Sequence, residues 1–112
     1  MKREDIEVIV VVFEVTAKAG KAEAYFDLAA ALRPELEQVD GFISVERFES
    51  LTTPGKYVSL SFWRDADAVA AWHGTANHAA AQSRGKSEIF EDFRITVAES
   101  IRSYTMADRD GA

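Results

Sequence analysis

With 112 residues, a net charge of −6 and no cysteine, the chain has the length of one domain, which we place at 1–112 with an ordered core at about 6–105. The acidic balance argues against nucleic acid as a partner, because phosphate binding needs a surplus of Lys and Arg. The lack of cysteine excludes disulfides, thiolate catalysis and sulfur-ligated metals.

Signals for a membrane or for export are missing as well. The longest apolar run, VIVVVF at 8–13, is too short to cross a bilayer. The opening MKRED carries no signal-peptide pattern, and we expect it and the closing ADRDGA to fray. These features predict a cytoplasmic protein with no membrane partner.

The first predicted element is a strand at Ile6–Val15 that is apolar on both faces. Its alternating side chains form two sets, Ile6, Val8, Val10 and Val12 against Ile9, Val11, Phe13 and Val15. Such a strand needs cover on both faces. A turn at 18–21 then leads to a helix predicted to run to about Gln38, with a kink or restart at Pro34.

Two strands at 42–51 and 56–64 follow, and Pro54-Gly55 in their connection suits the centre of a type II turn, so we predict a hairpin. Alternation in the first strand places Ser44 with Phe42, Glu46 and Phe48. Alternation in the second places Val58, Leu60 and Phe62 on one face and Tyr57, Ser59, Ser61 and Trp63 on the other.

Two short helices and a last strand complete the pattern. Asp65 can cap the first helix, Gly74 ends it, and Thr75 can cap the second, before a strand at 92–105. The order β-α-β-β-α-β predicts an α+β, ferredoxin-like fold, with an antiparallel sheet and helices on one face. Because nothing else in the chain covers the other face, we predict a homodimer.

Several segments of the chain, namely GFISVERFES, YVSLSFW, AVAAW, NHAAAQSRG and IFEDFRITVAESIRSY, together resemble the antibiotic biosynthesis monooxygenase (ABM) superfamily. The resemblance runs from about Ile6 to Tyr104 and implies a dimeric α/β barrel. It also implies an oxygenase, since the family includes cofactor-free oxygenases of polyphenolic substrates and haem-degrading enzymes.

The haem-degrading members use an asparagine on the first strand, a tryptophan on the second-helix segment and a histidine ten residues beyond it. Trp72 matches the tryptophan, whereas Gln82 stands ten residues on and the first-strand position falls near Phe13. A glutamine amide is a poor iron ligand, and phenylalanine cannot hydrogen-bond bound oxygen. We therefore predict no cofactor, with haem bound through His78 as the alternative.

The stretch at 71–85 holds the candidate site. His78 and Gln82, at i and i+4, share one helix face. This face either points into the gap between helices and sheet, or it is exposed to solvent and makes a capping contact. Trp72 and Trp63 are core residues or flat walls for an aromatic substrate, and the two interpretations are compatible. His73 is predicted to face solvent at the helix end.

Glu99 falls on a predicted strand face that should be covered, where a carboxylate is costly unless it is paired or protonated. Three explanations stay open: an ion pair with Arg47, Arg94 or Arg102, a bulge that turns the side chain outward, or a general base with a raised pKa.

The leading hypothesis for function is a cofactor-independent monooxygenase that oxidises a small aromatic or quinol-type molecule. His78 and Trp72 are the predicted catalytic residues, with His78 as proton acceptor. The predicted substrate-binding residues are Gln82, Trp63, Ser61 and Phe13. The alternatives are a haem-binding or haem-degrading monooxygenase and a dimeric binding module without catalysis.

Overall fold

The computed structural model describes residues 8–111, apart from the side chains of 76, 77 and 109–111. The elements in chain order are β1 (Ile9–Ala17), α1 (Ala22–Leu36), β2 (Phe42–Glu49), β3 (Lys56–Trp63), α2 (Ala66–His73), α3 (Ala76–Arg84), β4 (Phe90–Glu99) and α4 (Met106–Gly111). A single wide π-helical turn, Gly85–Ile89, joins α3 to β4. No helix within residues 8–111 is long and apolar enough to cross a membrane.

The four strands form one antiparallel sheet in the order β2-β3-β1-β4. This arrangement confirms the predicted ferredoxin-like α+β fold. The central strand β1 is buried at alternate residues, Ile9, Val11, Val15 and Ala17, which face the helices. The second apolar set of β1, which includes Val10 and Val12, lies on the opposite side of the sheet.

The helix-facing side of the sheet carries two clusters of buried apolar residues. One is centred on Trp63 and Trp72, and the other on Val15, Tyr25, Ile89 and Phe90. The opposite side of the sheet carries no helix from residues 8–111. It presents the half-buried side chains of Val10, Val12, Val58, Leu60 and Phe62, in register across β1 and β3.

The predicted turn and both helix caps are present. The N–H of Lys56 donates to the carbonyl of Thr53 over 3.2 Å, and Gly55 has a φ of 79°, as the third residue of a type II turn requires. Asp65 Oδ1 accepts from the N–H of Ala68 at 2.9 Å, which fixes the start of α2. Thr75 caps α3 in the same way.

Three local predictions are wrong. Pro34 does not restart α1, which runs without a break from Ala22 to Leu36, two residues beyond the proline. The last strand ends at Glu99 rather than 105, since its neighbour β1 begins at Ile9, directly opposite Glu99. A register shift between Phe42 and Ser44 separates these two residues, so Phe42 packs against the Trp63 cluster while Ser44 lies opposite Phe62.

Candidate active site

A cavity of about 160 Å³ lies between the helix-facing side of the sheet and helices α1 and α3. Members of both apolar clusters line it, so it is bounded by packed aromatic side chains rather than by mobile loops. All of the predicted site residues line this one cavity: Phe13, Ser61, Trp63, Trp72, His78 and Gln82. The lining as a whole is contributed by all four strands and by helices α1, α2 and α3.

The floor of the cavity is set by the strand register. Across the sheet, Arg47 lies opposite Ser59, and Ser59 lies opposite Phe13. Two residues further along β3, Ser61 lies between Val45 and Val11. Consecutive rows of this kind are about 7 Å apart, because a strand rises about 3.3 Å per residue. The two serines thus occupy separate positions along the floor.

Ser61 and Trp63 form a buried pair. The indole Nε1–H of Trp63 donates to Ser61 Oγ at 2.9 Å, and these residues are only 2% and 8% exposed. The bond satisfies the polar atom of an otherwise buried ring. Because the hydroxyl acts as acceptor here, its own proton is free to be donated to a ligand in the cavity.

The other wall is a ladder of three rings from α2 and α3. Thr75 links the two helices that carry these rings, because its Oγ1 donates to the carbonyl of Trp72 at 3.0 Å and accepts from the N–H of His78 at 3.2 Å. The His78 ring meets Trp72 edge-on, with centroids 5.1 Å apart, and stacks on His73 at 4.8 Å. His73 is therefore more than a solvent-facing end residue, because its ring also lines the cavity.

Both histidines of the ladder are held in the neutral form. Burial, and then the charge of the neighbouring His73, lower the pKa of His78 to about 4. Burial also lowers the pKa of His73. At neutral pH each imidazole keeps a free ring nitrogen, so His78 can accept a hydrogen bond or a proton from a molecule in the cavity.

The cavity extends to the surface beside these rings. His73, His78 and Gln82 also line a shallow groove on the outer side of α3, together with Lys86 and Ile95. His78 and Gln82 thus lie between the cavity and this groove. A small molecule entering from this groove passes them first.

Arg47 and Tyr25 form a part of the site that the sequence did not predict. Tyr25 is 4% exposed on α1, and burial raises the pKa of its hydroxyl despite the nearby guanidinium. Arg47 Nε donates to the Tyr25 hydroxyl at 3.3 Å, and the guanidinium carbon lies 5.2 Å from the ring centroid. Arg47 shares the cavity face with Val45 because of the register shift that follows Phe42.

Glu99 does not belong to the cavity lining. Its side chain is exposed at the end of β4, where it pairs regularly with Ile9, and it forms no ion pair with any side chain that the structure describes. The proposed bulge and the ion pair are therefore wrong for the single chain. Among the described residues, no three His, Asp or Glu side chains are grouped so as to hold a metal ion.

Comparison with known proteins identifies the family. The family model described as "Antibiotic biosynthesis monooxygenase" matches residues 8–84. A protein of Pyricularia oryzae named jasmonate monooxygenase ABM is 41% identical over 96 residues, which cover 83% of this chain and 45% of that protein. The Bacillus subtilis protein YqjZ is 31% identical over 62 residues, or 55% and 53% of the two chains. The chain thus spans about half the length of the curated relatives it matches.

Solved structures share the fold at lower identity. Protein SO0527 from Shewanella oneidensis superposes with a TM-score of 0.77 at 22% identity, covering 84% of this chain and 91% of that one. Rv0793 from Mycobacterium tuberculosis gives a TM-score of 0.77 at 16% identity, covering 88% and 99%. From the family match over residues 8–84 and the shared fold, the chain belongs to the antibiotic biosynthesis monooxygenase family.

Proposed function

We propose that this domain is a monooxygenase that oxidises a small aromatic or quinol-type molecule with dioxygen and without an added cofactor. The observation that carries the proposal is the single cavity in which Trp63 and Trp72 provide apolar walls next to the neutral imidazole of His78. An apolar pocket with a few convergent polar groups is what a small-molecule site requires.

The size of the cavity supports a substrate with one ring or two small ones. An apolar cavity of about 150 Å³ in another protein holds one benzene molecule, and the cavity here is of that order, about 160 Å³. A tetrapyrrole is several times larger, and the His78 ring is packed between Trp72 and His73. The residues present therefore do not fit haem, and no step is assigned to it.

The proposed chemistry needs only the substrate and dioxygen. Removal of a proton from a ring carbon or hydroxyl gives an electron-rich anion, which transfers one electron to dioxygen; the two radicals then combine to form a C–O bond. Protonation of the resulting peroxide, and loss of water that takes the hydrogen still on that carbon, leaves a carbonyl. The substrate supplies all four electrons, one oxygen atom enters the product, and the other leaves as water.

In this scheme His78 accepts the first proton and later returns it to the peroxide oxygen. With a pKa of about 4, its imidazole is a weak base. A simple phenol has a pKa of about 10, and each pKa unit costs about 1.4 kcal/mol, so this transfer is about 8 kcal/mol uphill. We therefore expect substrates more acidic than a simple phenol, and an anion beside His78 raises its pKa.

The remaining roles follow from position. Ser61 donates its hydroxyl proton to a substrate oxygen while it holds Trp63 in place. The Gln82 amide, which like His78 lies between the cavity and the groove, offers both a donor and an acceptor. Phe13 and Trp72 are the apolar surfaces that exclude water from the developing anion.

We also propose that a second copy of the chain covers the open side of the sheet. Five half-buried apolar side chains of β1 and β3 lie there in register, with Phe48 of β2 beside them at 45% exposure. The radius of gyration is 15.6 Å, whereas a compact chain of this length has about 13 Å. Beyond β4, Ile101 is 96% exposed, as expected for a segment that packs on a partner.

The proposed oxidation is tested by dioxygen uptake and product mass. The panel is a naphthohydroquinone, a simple phenol and jasmonate, the last because of the name of the Pyricularia oryzae relative. We expect uptake with the hydroquinone, a product with one oxygen more and two hydrogens fewer, and label from isotopic dioxygen in it. His78→Asn should abolish turnover without abolishing ligand binding, whereas His73→Asn should retain turnover. Binding without any uptake across the panel would support the non-catalytic module instead.

A further inference from the structure

The charges around the cavity are opposite in sign to those of the chain. The protein has 19 Asp and Glu against 13 Lys and Arg, yet the described residues that line the cavity include no carboxylate. They include two arginines, Arg33 and Arg47, whereas the two histidines there are neutral. An acidic protein that keeps its carboxylates away from one cavity has an electrostatic preference there for an anion.

The two arginines differ in how far they are already neutralised. Arg33 forms an ion pair with Glu37, with Nε and Oε2 2.9 Å apart, one turn further along α1. Among the side chains that the structure describes, Arg47 has no acidic partner, and its Nε bonds only to the neutral hydroxyl of Tyr25. A guanidinium has five N–H donors, so the two terminal nitrogens of Arg47 keep theirs for a ligand.

The neighbour of Arg47 on the floor of the cavity adds a further donor. Ser59 lies directly opposite Arg47 in the register of β2 and β3, and both line the cavity. The Ser59 hydroxyl makes no hydrogen bond within residues 8–111, in contrast to Ser61 two residues further on. The planar, charged guanidinium of Arg47 and the free hydroxyl of Ser59 thus lie next to each other at one end of the cavity floor.

We propose that the substrate carries a carboxylate, bound by the Arg47 guanidinium and the Ser59 hydroxyl, with its ring toward Trp63 and Trp72. The location of the ring follows the proposed function. The spacing fits, since Ser59 and the Ser61–Trp63 pair are one row apart, about 7 Å, which one ring and a short carboxylate side arm span.

A carboxylate suits this pair of donors better than a phosphate. The guanidinium fork matches the planar carboxylate through two parallel hydrogen bonds and balances its single charge. A phosphate monoester carries close to two negative charges at neutral pH and three acceptor oxygens. Arg47 and Ser59 alone leave part of that charge unbalanced.

Binding is measured with three matched probes: phenylacetate, phenylacetamide and phenyl phosphate. The chain has two tryptophans, and both line the cavity, so quenching of their fluorescence reports occupancy, with calorimetry as a second readout. We expect phenylacetate to bind at least about tenfold more tightly than the amide, because a hydrogen bond to a charged group outweighs a neutral one. It should also bind more tightly than the phosphate.

Arg47→Gln should remove the preference for phenylacetate and leave the affinity for phenylacetamide unchanged. Arg102→Gln, which removes the same charge outside the cavity, should keep the preference. Arg47→Lys keeps the positive charge but lacks the planar guanidinium, and it should retain part of the preference for phenylacetate. A partial preference in this variant would show that the loss in Arg47→Gln comes from the missing charge and not from a folding defect.

Equal affinity for acid and amide, no measurable binding of the acid, a stronger affinity for the phosphate, or a preference that survives Arg47→Gln would each overturn the proposal. The binding comparison requires no turnover. If the acid is preferred and no dioxygen is consumed, the proposed oxidation fails and the anion site stands. If hydroquinones are oxidised without any preference for the acid, the reverse holds.

Discussion

The imidazole rings of His73 and His78 stack on each other across the Gly74–Thr75 connection, with centroids 4.8 Å apart and planes inclined by 29°. Two imidazolium ions in this position would repel each other, and both rings are partly shielded from water. Burial first, and then the repulsion between the two rings, favour neutral histidines and lower the pKa of His78 to about 4.

This depressed pKa predicts a stability that depends on pH. In the unfolded chain His78 titrates near 6.5, so between pH 6.5 and about 4 the unfolded state binds more protons than the folded state. The free energy of unfolding should therefore fall as the pH drops through this window and be constant above it. Taken at full size, the pKa shift corresponds to a loss of about 3 kcal/mol in the free energy of unfolding. Because the ring is only half-buried, solvent screening reduces the expected loss to about 1 kcal/mol.

Urea unfolding at a series of pH values from 5 to 7 measures this dependence. His78→Asn removes one of the two histidines with a lowered pKa and should reduce the slope, and the slope that remains comes from His73. His73→Asn removes a cause of the shift and should flatten it less, because burial is the larger cause. The same slope in wild type and His78→Asn would show that the pKa of His78 is not lowered in the folded chain.

Ser61 and Ser59 offer a matched pair of substitutions on the cavity floor. Ser61→Ala leaves the buried Nε1–H of Trp63 without its acceptor and should cost about 1–3 kcal/mol of stability. Ser59→Ala removes no hydrogen bond of the described chain, so stability should change by less than about 0.5 kcal/mol. Chemical denaturation of both variants checks this, and equal losses would mean that the Trp63 bond is not what holds Ser61 in place.

The regular parts of the fold followed from the sequence because local signals and tertiary structure agree there. Alternation in β3 correctly separated Ser59 and Ser61 from the apolar face of Val58. The cap residue Thr75 fixed the start of α3, and the i, i+4 spacing then placed His78 and Gln82 on the face that lines the cavity. Both serines and both helix residues were therefore predictable from periodicity.

Arg47 and the role of His73 were not predictable, because each depends on a tertiary event. The register shift between Phe42 and Ser44 interrupts the simple alternation of β2, and the Arg47–Tyr25 bond joins residues 22 positions apart. The stack of His73 on His78 requires α2 and α3 to turn back on each other, which neither helix signals alone. Where the backbone is irregular, the alternation of the sequence no longer predicts which face of the sheet a side chain lies on.

The proposed dimer predicts that a charge on the open sheet face prevents association. Leu60 lies at its centre, opposite Val12, and a buried glutamate there costs several kcal/mol. Leu60→Glu should therefore weaken self-association by about a hundredfold or more. Ala80→Glu adds the same charge on the exposed side of α3 and should leave the dimer intact. Sedimentation velocity over a range of concentrations measures the oligomeric state of each variant. A wild-type chain that is monomeric at every concentration would refute the proposed dimer.

The wide turn before β4 predicts a coupling between backbone packing and the shape of the cavity. Gly85 is buried against Phe90, and a Cβ built on Gly85 would lie 2.3 Å from that ring, which itself lines the cavity. Gly85→Ala must push the Phe90 ring away and should cost about 1–3 kcal/mol of stability. It should also weaken phenylacetamide binding, because the displaced ring narrows the cavity. Ser87→Ala, an exposed change in the same turn, should do neither, and unaltered binding and melting temperature in Gly85→Ala would contradict the packing of Phe90 on this turn.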